Sequence, residues 1–398
     1  MIEKSIKMMS RLEELIQQLC PDGVEYRILE RCCNILDKKR KPVTKAARIS
    51  GEYPYYGANG IQDYVADYIF DGTYVLVGED GSVVTPSGKP VVNWTTGKIW
   101  VNNHAHIIEE GEGVLLRYLF HFLQTVNIAP LIHGNIPKLT GGDFKAIPIP
   151  VPPIEVQQEI VRILDQFTEL TAELTAELTA RKKQYEYYRN ELLTFESDIP
   201  MKALGDICNV VAGGTPSKKN SDYWNGTIKW LGSTVCKNQK TVDEITDYIT
   251  ELGVAESSTK IMDEGTTLVA LVGATIGKVA FLPFKAAINQ NVAGIYPKDV
   301  EVLIPSYVYY ACTTLYSKFL ALTQGTKLAM ANMSFVRALQ IPVPSIEEQR
   351  RIIFILDRFD ALCNDRTSGL PAEIEARRKQ YEYYRDKLLT FPERTEQR

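Results

Sequence analysis

No stretch of 18 consecutive apolar residues occurs in this chain, so a membrane-spanning helix is not expected. The N-terminus, MIEKSIKMMSRLEELIQQL, is amphipathic and carries acidic residues. It lacks the apolar core and small-residue cleavage site of a signal peptide, which points to the cytoplasm of a bacterium or archaeon. Cysteine is scarce: there are seven, an odd number, and no C-x-x-C pair. Buried thiols in a reducing compartment are expected rather than a disulfide framework. An excess of positive charge is also missing. The net charge is −4 and the pI about 5.8. This excludes a small, uniformly basic nucleic-acid binder but leaves room for local basic patches.

Signatures of catalysis are absent as well. Gly273-Ala-Thr-Ile-Gly-Lys278 resembles a phosphate loop, but only three residues separate its glycines. Val279 stands where a Ser or Thr is needed, so a strand end and turn is the better reading. His104 and His106 would share one face of a strand, yet His121 and His133 show no ligand spacing, and no metal site is expected. No acidic-proline-aromatic methyltransferase motif and no nuclease-like carboxylate cluster can be found. The chain reads as non-catalytic, with no cofactor of its own.

What the sequence does contain is a duplication. Ile149–Phe167 (IPVPPIEVQQEIVRILDQF) and Ile341–Phe359 (IPVPSIEEQRRIIFILDRF) agree at 12 of 19 positions. Arg181–Phe195 (RKKQYEYYRNELLTF) and Arg377–Phe391 (RRKQYEYYRDKLLTF) agree at 12 of 15. The spans before each copy are far less alike. Near-identical helices joining divergent globular units suggest one scaffold presenting two different reading heads.

Each copy reads as a long helix after an extended Ile-Pro-Val-Pro segment. Ser345 is placed to cap the second, with Glu348 completing a capping box. Pro153 stands in the first turn of the other. Ile160, Ile163, Phe167, Leu170 and Leu174 form an a/d-like seam, matched by Ile352, Ile355, Phe359 and Leu362. Matching seams suggest that the two helices pack together, most simply antiparallel. Between the conserved parts of the first copy lies ELTAELTAELTA, Glu169–Ala180, three tandem tetrapeptides of good helix formers plus Thr. The second copy reads NDRTSGLPAEIEA there, and Gly369 and Pro371 are expected to break the helix.

The variable spans look β-rich. Gly72–Gly78 and Gly265–Gly273 are apolar runs bounded by glycine. Trp100–Ile108 and Ala287–Ile295 occupy equivalent places. The fold class is therefore α+β: two similar β-rich units separated by two long antiparallel helices in a pseudo-two-fold arrangement. The expected division is an N-terminal helix (1–20), a first recognition unit (21–148), a central helical region (149–198), a second recognition unit (199–340) and a C-terminal helical region (341–398). Glu14-Leu15-Ile16 resembles Glu191-Leu192-Leu193, so the N-terminal helix is expected to sit where the C-terminal helix would otherwise lead in.

The repeated I-P-V-P helix, the ELTA tandem, Tyr53-Pro-Tyr-Tyr-Gly-Ala-Asn-Gly60 and Gly213-Gly-Thr-Pro-Ser217 together resemble the specificity subunit of type I restriction–modification enzymes. The resemblance spans essentially the whole chain. It implies two target-recognition domains, each reading half of a split site in double-stranded DNA across a non-specific spacer. It implies conserved helices that dock two modification (methyltransferase) subunits, with motor-nuclease restriction subunits joining the complex. S-adenosylmethionine and ATP chemistry would belong to those partners.

Candidate DNA contacts follow from charge and position in polar turns. Lys38, Lys39, Arg40 and Lys41 form the densest basic run, with Tyr55 and Tyr56 as nearby aromatics. Thr215, Ser217, Lys218 and Lys219 are their counterpart in the second unit. Asn59, Asn135, Gln324 and Lys327 are further candidates, and Gly78-Glu-Asp-Gly81 could set acceptors against cytosine amino groups. Arg181, Lys182, Lys183 and Arg377, Arg378, Lys379 recur on both scaffold helices and are the candidate docking residues. Two other readings compete: a helical scaffold with no DNA role, and a stand-alone DNA-modifying enzyme with an unrecognised site.

Overall fold

A computed structural model describes residues 2–81, 83–195, 198–242, 244–322 and 330–394, with side chains from Ser10 onward in the first helix. The chain divides into two compact units. Unit 1 is Met1–Glu173 with Glu375–Arg398, and unit 2 is Leu174–Ile374. Unit 1 is thus built from both ends of the chain and unit 2 from its middle.

In unit 1, α1 (Ile2–Leu19) precedes ten strands among the described residues. These are β1 (Glu25–Ile28), β2 (Cys33–Ile35), β3 (Ser50–Gly57), β4 (Gly60–Val65), β5 (Phe70–Gly78), β6 (Val92–Val101), β7 (Ala105–Glu110), β8 (Ile132–His133), β9 (Lys138–Leu139) and β10 (Pro148–Val151). Helix α2 (Leu116–Leu123) follows β7. Six strands form one sheet in the order β2-β7-β5-β6-β3-β4, antiparallel except for β3 beside β6. Unit 2 holds β11 (Met201–Ala203), β12 (Cys208–Ala212), β13 (Trp224–Leu231), β14 (Asp247–Ile249), β15 (Lys260–Met262), β16 (Thr267–Ala270), β17 (Val279–Phe281), β18 (Ala286–Ile288), β19 (Val292–Pro297) and β20 (Gln340–Pro342). Eight of them make two four-stranded sheets, β12-β19-β16-β17 and β14-β13-β18-β15, and β11 pairs with β20. One parallel pair recurs here too, β13 beside β18.

The scaffold helices are α3 (Ile154–Leu193), α5 (Ile346–Asn364) and α6 (Leu370–Leu388), with α4 (Pro305–Thr313) as the unit 2 partner of α2. Helix α3 runs unbroken for 40 residues through the ELTA tandem. The second copy breaks between Asn364 and Leu370. Gly369 is needed there, because a Cβ would lie 2.4 Å from the Ala361 carbonyl oxygen. Ser345 caps α5 through its hydroxyl, which accepts the Glu348 N–H. The Glu348 side chain turns forward to Arg351 (2.6 Å) rather than back to the cap, so half of the expected box forms.

Each I-P-V-P segment is an edge strand. Ile149 stands opposite Arg27, and Ile341 opposite Lys202. A buried tyrosine fixes each one: the hydroxyl of Tyr118 donates to Pro150 O (2.9 Å), and that of Tyr307 to Pro342 O (3.0 Å). A fully buried glutamine then ties the following helix to the unit in front of it. Gln157 accepts the Leu115 N–H and donates to Gly113 O and Pro152 O. Gln349 accepts the Ile304 N–H and donates to Val302 O and Pro344 O.

The circular character has a different origin from the one expected. The C-terminal segment itself leads into unit 1. Val24 N–H donates to Pro392 O (2.9 Å), and Arg394 N–H donates to Val24 O (2.9 Å). Gly23 sits so close that a Cβ would meet Pro392 O at 2.4 Å. Helix α1 packs beside this strap, with Leu12 in the same core as Leu388, Leu389 and Phe391.

The core of unit 1 joins α2, α3 and α6 through a polar site. His121 is fully buried between Asp165 (2.8 Å from Nε2) and the Tyr381 hydroxyl (2.9 Å from Nδ1). A carboxylate only accepts, so Nε2 carries the proton and Nδ1 accepts from the phenol. A neutral ring satisfies both partners. Burial pushes the His121 pKa down; Asp165 opposes this, while Arg117 and Arg385 add to it. Burial works against ionisation of Asp165, but His121 and Arg117 outweigh it and hold the carboxyl below its ordinary range. In unit 2 the same position is Tyr310, which donates to Asp357 at 2.5 Å.

A pH test follows. The unfolded chain protonates His121 more readily than the folded one. This site's contribution is full above about pH 6.5, the ordinary histidine value, and is lost as pH falls through the lower folded value. His121→Tyr, which copies Tyr310, should flatten the fall in melting temperature between pH 7.5 and 5.0. An unchanged slope would show that His121 does not carry it.

All seven cysteines are buried and unpaired, and burial pushes each thiol up. None is poised as a thiolate.

Candidate nucleic-acid interface

The same turn is built at one end of both units. In unit 1 it is Asn102-Asn103-His104, linking β6 to β7. Asn102 is 2% exposed; its N–H donates to Tyr56 O, and its Oδ1 accepts the His104 N–H. In unit 2 it is Asn289-Gln290-Asn291, linking β18 to β19. Asn289 is 9% exposed; its N–H donates to Leu231 O, and its Oδ1 accepts the Asn291 N–H. A second strand end closes on each turn. Glu79 N–H donates to His104 O while Leu139 N–H donates to Glu79 O. Leu271 N–H donates to Asn291 O while Ala331 N–H donates to Leu271 O. Three backbone–backbone bonds and one bond to an asparagine side chain thus repeat one for one, although the exposed side chains around them differ.

These bonds gather distant loops. Lys41 N–H donates to Val101 O, bringing the basic loop beside the Asn103 turn. Asp80, paired with the His104 ring, bridges to Lys138. Lys38, Lys39, Lys41 and Lys45 are exposed, as are Asn59 and Asn135. In unit 2, Thr215 donates to Gln290 Oε1 (2.5 Å), which draws the Gly-Gly-Thr-Pro-Ser loop to the same end. Ser217, Lys218 and Lys219 are exposed, and the Lys218 ammonium lies 5.8 Å from the Trp224 ring centre. Gln324 and Lys327 lie outside the described residues.

Three candidate contacts must be corrected. Arg40 is not free to hold phosphate. Its guanidinium meets Glu79 Oε2 and Ala105 O at 2.6 Å each, with Asp37 at 3.5 Å, and its side chain is 11% exposed. Tyr55 is 1% exposed and uses its hydroxyl on Val43, with Arg48 stacked 4.0 Å over its ring. It belongs to the interior. Tyr56 is half-buried against the same sheet. Glu79 is likewise committed, to Arg40 and Lys138, and is not available to cytosine.

Asp37, Glu79 and His106 bring one ligand atom each within 4.8 Å of one another. Arg40 and Lys138 already supply positive charge there. His106 lies between Asp37 Oδ2 (2.6 Å) and Leu139 O (3.1 Å) and stacks 4.2 Å from Phe144. This donor set works as an ion-pair fastener for the basic loop rather than as a cation cage. The Gly273 loop is a turn between β16 and β17, with positive φ at Gly273 and Gly277.

The comparisons with known proteins match both units. The model of the type I restriction modification DNA specificity domain matches residues 21–181 and again 196–376. The chain belongs to that family. A protein named as a type I restriction enzyme specificity subunit from Haemophilus influenzae is 36% identical over 391 residues, covering 96% of this chain and 98% of the relative. The Escherichia coli EcoR124I/EcoR124II specificity subunit is 41% identical over 292 residues, covering 70% and 71%. Among solved structures, the S subunit of a type I system from M. genitalium superposes with a TM-score of 0.57 at 16% identity, covering 94% and 97%. A chain from a study of type I complex assembly gives 0.56, also at 16%, covering 93% and 98%. Those two likenesses speak for the fold. This type I specificity subunit therefore has two DNA specificity domains of mixed helix and sheet, and among the described residues no helix is long and apolar enough to cross a membrane.

The docking candidates of the specificity subunit also repeat. Arg181 donates to Gln184 (3.0 Å) and Arg377 to Gln380 (3.1 Å). Lys182, Lys183, Arg378 and Lys379 are exposed. The sequence reading missed Asn103 and Gln290, because the turn looks like the interior of one continuous strand when only hydrophobic pattern is read.

Proposed function

We propose that this subunit reads a split site in double-stranded DNA, one half with each unit. The loops around Asn103 and Gln290 face the bases and phosphates. The observation that carries this reading is the duplicated turn: the same backbone bonds hold two different sets of exposed side chains. Lys38, Lys39, Lys41, Lys218 and Lys219 then supply phosphate contacts. Asn59, Asn135, Thr215 and Ser217 border them. Tyr56, half-buried, supports the unit 1 loops from below.

Two modification subunits dock on the repeated basic faces, at Arg181–Lys183 and Arg377–Lys379, and bring the methyl-transfer chemistry. Restriction subunits complete the assembly. The specificity subunit supplies recognition and contributes no catalytic group. Helix α3 sets the length of the unread gap.

Co-expression with a type I modification subunit that assembles with it, followed by genome-wide detection of modified adenines, tests the proposal. A consensus with two defined halves and a fixed gap is the expected result. A stable, assembled complex that leaves the genome unmodified would overturn it.

A further inference from the structure

We infer that Asn103 and Gln290 are equivalent adenine-reading residues, one for each half-site. The inference rests on the proposed DNA reading and names the side chains and the base.

The two residues occupy the same place in a turn that the structure builds twice. In each, the preceding buried asparagine spends its side-chain oxygen on holding the turn. The middle residue is left pointing outward and exposed. Among the described residues nothing bonds to the Asn103 carboxamide or to the Gln290 Nε2. Both are carboxamides, although the two units share little sequence there.

A carboxamide holds one acceptor and two donor protons in one plane. This matches adenine in the major groove, which offers N7 as acceptor and its amino group as donor. A phosphate offers acceptors only and would be served better by the neighbouring lysines. Gln290 is already oriented: Thr215 Oγ1–H donates to its Oε1. One lone pair of that oxygen remains for the adenine amino group, and Nε2–H is left to donate to N7. A side chain fixed before binding loses less entropy on contact.

The turns also stand beside positive charge. Lys41 is bonded into the strand end next to Asn103, and Lys218 and Lys219 extend from the loop that Thr215 anchors. Base contact and phosphate contact are thus placed side by side in each unit.

The test uses the full subunit in its complex with the modification subunit, read by the methylation consensus in cells. Asn103→Ala should relax one adenine in the half read by unit 1 and leave the other half unchanged. Gln290→Ala should do the reverse. Each loss of preference should be about 5- to 150-fold, the range of one bidentate base contact. Asn103→Gln and Gln290→Asn should keep the adenine. Thr215→Val should weaken the same position as Gln290→Ala and no other. Complex recovery and melting temperature check that the variants fold.

An unchanged consensus in both alanine variants would overturn the inference. So would a uniform loss of methylation with no change of letter, which marks a phosphate contact. Absence of any split consensus with the unaltered subunit would instead bring down the proposed function beneath it.

Discussion

If the subunit reads a split site as proposed, deleting one ELTA tetrapeptide, Glu173–Ala176, should shorten the unread gap by one or two base pairs and leave both half-sites unchanged. Four residues are ~6 Å of helix, against 3.4 Å per base-pair step. They also turn the helix by about 400°, so the net rotation is only about 40°. Helix α3 is continuous through this stretch, and the tandem contributes no fully buried side chain: Leu170, Leu174 and Leu178 are half-buried. Deletion therefore leaves the core of each unit in place. Methylation mapping of the deletion variant, and of an insertion of one further tetrapeptide, reads the result directly. Altered half-site letters with an unchanged gap would rule out the helix as a ruler.

The largest effect on stability is expected from the paired glutamines. Gln157→Leu removes an acceptor from Leu115 N–H and two donors from Gly113 O and Pro152 O, all at a side chain with no exposure. Pro152 O is left unpaired in the interior, and Leu115 N–H and Gly113 O where the backbone is partly open to water, so the loss is roughly 2–5 kcal/mol, since one fully buried unsatisfied group costs about 1–3 kcal/mol. Gln349→Leu should cost a similar amount in unit 2, where Ile304, Val302 and Pro344 lose the same partners. The two sites share no partner, so the double variant should lose close to the sum. Urea unfolding of both single variants and the double measures this. A loss below about 1 kcal/mol would mean that water or local relaxation replaces the clamp.

Much of this molecule is written in its repeats. The Ile-Pro-Val-Pro strands, the unbroken first helix and the break at Gly369 follow from local rules of proline, glycine and helix propensity. The roles of Arg40 and Tyr55 do not. Arg40 is consumed by Glu79, 39 positions away, and by the carbonyl of Ala105, which only the folded sheet brings near. A basic run looks uniform in sequence, yet one of its four members is an internal tie and three are exposed. Gln157 and Gln349 look like surface residues of an amphipathic helix. Their burial depends on the backbone of the preceding unit. Asn103 and Gln290 stay hidden for another reason: strand-like residues flank them, and the turn is held by an asparagine whose bond runs within the turn itself.

The strap at the C-terminus has a consequence for how the chain is made. Val24 finds its backbone partners at Pro392 and Arg394, and the unit 1 core includes Leu388, Leu389 and Phe391. Unit 2 ends at Ile374, so all its residues leave the ribosome earlier. Domains generally complete themselves in the order of synthesis. Here the half that is translated first is finished last: it waits, with part of its interior open, until the segment from Leu388 to Arg394 has been made.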